Sequence, residues 1–152
     1  MSQSDEQWMQ QALLLADQAE SLDEVPVGAV VVCNDKVVGR GHNCQISGND
    51  PTAHAEIIAL RDAARYLKNY RLVDCTLYVT IEPCTMCVGA MIHSRIQRLV
   101  FGAPEPKAGA VVSAAQLFDA PYSNHKVNYQ GGVLAQDCAE KISRFFANKR
   151  KR

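Results

Sequence analysis

A chain of 152 residues, 47% of them apolar and 21% charged, can bury one sizeable core and is short for two, which predicts one domain over residues 1–152. No apolar run approaches a membrane span, and Met1-Ser2-Gln3-Ser4-Asp5-Glu6 lacks the basic and apolar segments of a secretory leader; a cytoplasmic protein with no membrane partner is expected. Sixteen bases balance sixteen acids, so bulk charge by itself predicts no polyanion partner.

The charge is nevertheless unevenly spread. Residues 1–24 hold six acids and no base, and residues 141–152 hold six bases and no acid. That basic end (Lys141, Arg144, Lys149, Arg150, Lys151, Arg152) suits phosphate contacts and a solubilising tail equally well. Six cysteines could make three disulfides, but a chain this rich in aliphatic residues does not need them.

In chain order, Ser4 and Gln7 form a capping-box pattern, and Trp8, Ala12, Leu15, Ala16 and Ala19 recur at helical spacing to about residue 19. The β-branched run 25–32, the turn Asn34-Asp35 and the returning stretch 36–41 predict a hairpin. Pro26 and Gly28 read as edge or bulge markers. A polar loop then reaches Asp50-Pro51, an N-cap with proline at the first helical position. This puts His54 in the first turn of a helix through Ile57, Leu60, Ala64 and Leu67. Residues 76–80 form a third strand, 84 to about 93 a short helix, and 98–101 a fourth strand. The stretch 102–113 is too long for a simple connection, and loops of this kind often line a site. A weak strand near 126–129 and Gly131-Gly132 precede a last helix bearing Leu134, Cys138, Ile142, Phe145 and Phe146. Strands alternating with helices require crossovers, so the fold class is α/β, with part of the sheet parallel and helices on both faces.

Two stretches carry chemistry: His54-Ala55-Glu56 and Pro83-Cys84-Thr85-Met86-Cys87. One imidazole and two thiolates are three zinc ligands, and they leave the fourth tetrahedral position open to water, as in catalytic sites. Bound zinc lowers the pKa of its water from about 15.7 to roughly 7, and a nearby acid, Glu56, can then carry protons. Cys84 and Cys87 lie one turn apart at a helix N-terminus, where the dipole favours thiolates. His54 and Glu56 do not share a helix face, so the metal must sit off the helix end. A CxxC pair alone is more often a structural knuckle or a redox dithiol, and a lone histidine can be a satisfied core residue. Cys33, Cys44, Cys75 and Cys138 are scattered singly and supply no second pair.

HxE followed by PCxxC is a signature of zinc nucleobase deaminases. Val25-Pro26-Val27-Gly28-Ala29, Asp50-Pro51-Thr52-Ala53-His54-Ala55-Glu56, Asn69-Tyr70-Arg71-Leu72, Leu77-Tyr78-Val79-Thr80 and Gly89-Ala90-Met91-Ile92-His93-Ser94-Arg95-Ile96 extend the match. Over nearly its full length the chain resembles the bacterial tRNA-specific adenosine deaminases of the cytidine deaminase-like family. That resemblance implies a three-layer α/β/α fold around a mixed sheet of about five strands. It also implies a homodimer with one Zn2+ per subunit. The implied reaction is hydrolytic deamination of the wobble adenosine of a tRNA anticodon stem-loop to inosine, releasing ammonia. His54, Cys84 and Cys87 would hold zinc, Glu56 would shuttle protons, and Asn43 would lie against the purine. A stacked base hides its reactive atom, so the nucleotide must swing out into the pocket. Asn43 can both donate to and accept from a base edge, and Phe146, beside the basic helix end, offers a ring for stacking.

One stretch departs from the family pattern: Glu105-Pro106-Lys107-Ala108-Gly109-Ala110 stands where Asp-x-Lys-Thr-Gly-Ala is usual, which points to altered contacts with nucleotides flanking the target. Deaminases of free cytosine, guanine or deoxycytidylate share both motifs. A silent RNA-binding module with four protein ligands on a structural zinc is the alternative from another class.

Overall fold

Strand β1 (Gly28–Cys33) sends Ala29 and Val31 to one face of the sheet and Val30 and Val32 to the other, and all four are buried. A strand buried on both faces belongs in the middle of a sandwich of layers. In the computed structural model, which describes residues 2–151, the strand order is indeed β2-β1-β3-β4-β5. β1 runs antiparallel to both β2 (Lys36–His42) and β3 (Thr76–Ile81). β3, β4 (Arg98–Ala103) and the short β5 (Asn128–Gln130) are mutually parallel. Helices α1 (Ser2–Ser21) and α4 (Ala135–Arg150) cover one face, and α2 (Ala55–Leu67) and α3 (Thr85–Ser94) cover the other. This is the expected α/β/α arrangement with a mixed five-stranded sheet.

Three local expectations are corrected. Helix α1 begins at Ser2, so Ser4 lies inside the helix rather than at its cap, and its side chain falls outside the described residues, as does Arg152. Gly28 marks neither an edge nor a bulge. A Cβ there would strike the Ala12 carbonyl, so the glycine lets α1 lie close on the sheet, and the ladder irregularity falls between Val31 and Val32 instead. Asp50-Pro51 does not start α2. Asp50 closes a local turn, accepting from the Thr52 amide at 2.9 Å and the Thr52 hydroxyl at 2.8 Å, and the helix begins five residues later at Ala55. Asx chemistry that would cap a helix serves a turn equally well.

The topology sets one end of the sheet apart. Gly28 pairs with His42, and the parallel strands β3 and β4 both finish there, at Ile81 and Ala103. Chain leaving β2 and β3 at this end reaches the N-termini of α2 and α3, the place where open α/β sheets bind ligands.

Across the α1 face, buried Asp5 accepts two bonds from the Arg98 guanidinium, at 2.9 and 2.8 Å, and one from the Tyr78 hydroxyl at 2.8 Å. Arg98 holds the Asp5 carboxyl below the usual carboxylate range, and the Tyr78 hydroxyl helps it against the opposing effect of burial. A depressed carboxylate stabilises the fold above its unfolded pKa of about 4, and that contribution disappears as pH falls through the lower folded value. Asp5→Asn should therefore cost about 3 kcal/mol at pH 7, the low end for breaking a buried pair. Thermal melts should show a drop of roughly 6–12 °C that shrinks as pH goes from 5 towards 3. An equal Tm at pH 7 would remove this pair from the stabilising interactions.

Candidate active site

Both metal-ligand candidates that open a helix sit just ahead of it. His54 is the N-cap of α2 (φ −73°, ψ 153°), and Cys84 is the N-cap of α3 (φ −81°, ψ 177°). Their extended backbone turns the side chains away from the helix barrels, and neither side chain caps its own helix. His54 is thus one residue short of the first turn in which the periodicity placed it, and the expected position off the helix end is met.

His54 Nδ1 lies 3.6 Å from Cys84 Sγ and 3.6 Å from Cys87 Sγ, and the three ligand atoms fall within 4.8 Å of one another. A tetrahedral zinc with Zn–S of about 2.3 Å and Zn–N of about 2.05 Å sets N···S at about 3.6 Å. The spacing is therefore that of co-ligands, and one imidazole with two thiols is a donor set suited to zinc. The Cys87 thiol draws Cys84 down to about 3, with His54 assisting, while the same pairing and burial drive Cys87 upward. The positive end of α3 likewise favours thiolate there.

Glu56, in the first turn of α2 and 3% exposed, is not one of the trio, although its carboxyl reaches the Cys87 thiol. Burial pushes its carboxyl up to about 7, so it can gain and lose a proton near neutral pH. Asn43, also buried, donates its backbone N–H to the Val27 carbonyl at 3.1 Å, while its Oδ1 accepts the Ala55 amide at 2.8 Å. That bond supplies the cap His54 withholds. It engages one lone pair of Oδ1 and leaves the Nδ2 donors, with the second lone pair, for another partner.

The cytidine and deoxycytidylate deaminase zinc-binding region matches residues 2–103. A tRNA-specific adenosine deaminase of Haemophilus influenzae is 54% identical over 150 residues, 98% of this chain and 87% of that protein. One from Bacillus subtilis is 40% identical over 97% of this chain and 92% of its own. The chain belongs to the tRNA-specific adenosine deaminase family. A solved structure from a study of A-to-I editing by tRNA:A34 deaminases superposes with a TM-score of 0.87 at 43% identity, covering 89% of this chain and 98% of that one. A Bacillus subtilis guanine deaminase superposes less closely, with a TM-score of 0.62 at 32% identity over 95% of this chain and 93% of its own.

Around this deaminase centre stand two carboxylates that the sequence reading counted only as charge. Glu24 is 2% exposed and accepts the Ile46 and Ser47 amides at 3.3 and 2.7 Å, fixing the loop that follows Asn43. Glu82, likewise buried, stands two residues before Cys84. The available signal was an acid flanked by apolar residues beside a chemistry-bearing motif. Glu105, at the departure from the deaminase pattern, turns its carboxylate to the Lys107 amide at 2.9 Å. Phe146 is not brought to the trio: it is 43% exposed on α4, which touches neither α2 nor α3, and it stands edge-on to buried Phe145. In the basic end, Lys141 pairs with Asp17 at 2.6 Å and Lys149 with Asp23 at 2.7 Å, so the opposed charge blocks meet each other across α1 and α4.

The purified protein should carry one zinc per chain. X-ray absorption should resolve two sulfurs at about 2.3 Å and lighter atoms at about 2.0 Å. Cys87→Ala should lose the metal. A fourth protein ligand in that spectrum would make the site structural.

Proposed function

We propose that this chain is a zinc-dependent tRNA adenosine deaminase that converts the wobble adenosine of an anticodon stem-loop to inosine, releasing ammonia. The observation that carries the reading is a three-donor metal site beside a buried acid outside the trio. His54, Cys84 and Cys87 would hold the zinc, which would supply an activated water for attack at purine C6. Glu56 would take one proton of that water to the ring nitrogen N1 and then relay the second, from the hydroxyl formed at C6, to the departing amine, which balances adenosine plus water against inosine plus ammonia. Its buried carboxyl, raised towards neutrality, is matched to both transfers. Asn43 Nδ2 donates to an acceptor on the purine edge. Exposed Phe146, with Arg144 and Arg150 of α4, which join no ion pair among the described residues, suits a base and phosphates of the RNA beyond the target.

We further infer a homodimer. An apolar groove between α2 and α3, lined by Ile57, Leu60, Ala64, Tyr70, Leu72 and Ala90, has Tyr70 76% exposed at its rim, and a second copy is the occupant the family resemblance implies. Light scattering should return twice the 16.7 kDa chain mass, and Ala90→Arg should halve it; a monomeric wild type would exclude the dimer. The compartment we read as cytoplasmic, because six free thiols and a tRNA substrate both suit reducing surroundings. Among the described residues, no helix is long and apolar enough to cross a membrane.

An anticodon stem-loop assayed against free cytosine, guanine and deoxycytidylate tests the reading. Turnover of the RNA adenosine is expected, and turnover of the small substrates alone would defeat it. In the same assay Glu56→Ala should retain zinc and fold yet lose activity on the order of 10²–10⁴-fold. Asn43→Asp keeps the acceptor for the Ala55 amide and removes the side-chain N–H donors. With zinc retained, KM should rise roughly tenfold. An unchanged KM would take Asn43 off the purine.

A further inference from the structure

Between Ala103 and the 3-10 turn at Leu117–Asp119 the chain has neither strand nor helix, so its backbone amides need other partners. A single side chain supplies acceptors for four of them. Glu82 Oε1 accepts the Glu105 amide at 3.0 Å and the Ser113 hydroxyl. Its Oε2 accepts the amides of Val111, Val112 and Ser113 at 3.1, 2.8 and 2.9 Å. None of the ion pairs among the described residues involves Glu82, so neutral donors from one loop surround this carboxylate. Gly109 lies so close that a Cβ would land on the Glu82 carboxyl. The stitching continues along the backbone: the Glu82 amide donates to the Ala103 carbonyl at 2.9 Å, and the Ala110 amide donates to the Pro83 carbonyl at 2.8 Å. Residues 82–83 thus bind the loop, and the next residue is the metal-ligand candidate Cys84. On the loop's outer side Lys107 and Val112 are exposed.

We propose that Glu82 is a positioning residue for RNA. It holds loop 104–116 as a preformed rim beside the metal centre, so that nucleotides flanking the target meet a surface already ordered. Preformed loops bind more tightly because the ordering cost is not charged to association. This rests on reading the chain as an RNA deaminase. Flanking nucleotides touch the rim but do not react, so loosening it weakens binding without altering the chemical step.

Glu82→Gln, which replaces one acceptor oxygen by a donor facing three amides, is compared with wild type on the anticodon stem-loop. KM should rise roughly tenfold while kcat changes by less than about threefold, with one zinc per chain retained. Hydrogen exchange at the amides of Glu105, Val111, Val112 and Ser113 should accelerate together, and Glu82→Asp should restore part of both effects. Gly109→Ala disturbs the same contact from the loop side and should reproduce the KM rise if Glu82→Gln fails to fold. Lower Tm with KM unchanged in the folded variants, or a fall in kcat with zinc loss, would overturn the proposal. Wild type that does not deaminate the stem-loop would overturn the RNA reading itself, which no Glu82 variant can do.

Discussion

Two sulfurs equidistant from one imidazole nitrogen are the constraint from which the rest of this site follows. Thiolates, an imidazole and a carboxyl crowded into a largely buried space would repel or neutralise one another, and a dication satisfies all of them at once. Reaching that spacing requires two helix N-termini to meet at one end of one sheet. Strands β2 and β3, each antiparallel to the intervening β1 and so pointing the same way, bring them there, because both leave their outgoing chain on the same side. Each helix then gives up an ordinary cap so that its cap residue can face the metal. For α2, Asn43 makes up the loss from a different segment.

That substitution has a chemical consequence. An amide whose oxygen holds a helix N-terminus is fixed in rotation, so the direction in which the Asn43 Nδ2 donors point is set by helix capping.

Around the trio, the same solution occurs twice: a buried glutamate gathers the amides of an irregular loop. Glu24 does so for the loop after Asn43, and Glu82 for the longer loop after β4. Neutral backbone donors compensate each charge without a basic side chain, so the loops are shaped from within and their outer faces stay available. On the far layer, α1 and α4 bring acidic and basic ends of the chain into register, and surface pairs such as Lys141–Asp17 contribute little stability individually. They do explain why a chain of zero net charge tolerates two blocks of opposite sign.

The sequence alone pointed to a partly parallel sheet with helices on both faces, to the three candidate metal ligands and to the neighbouring acid. Each is written locally: a continuous β-branched run in β1, a period near 3.6 in α2, HxE and CxxC in the site. Where the reading failed, the cause was competition between local meanings of one residue. Asp50 could cap a helix or close a turn, and Gly28 could mark a bulge or admit a helix. Only the tertiary structure decided these, because the deciding partner is distant in the chain or hidden in a loop. Glu82 shows this most plainly: its donors lie 23 to 31 residues away, and nothing in composition distinguishes a carboxylate wrapped in amides from one in water.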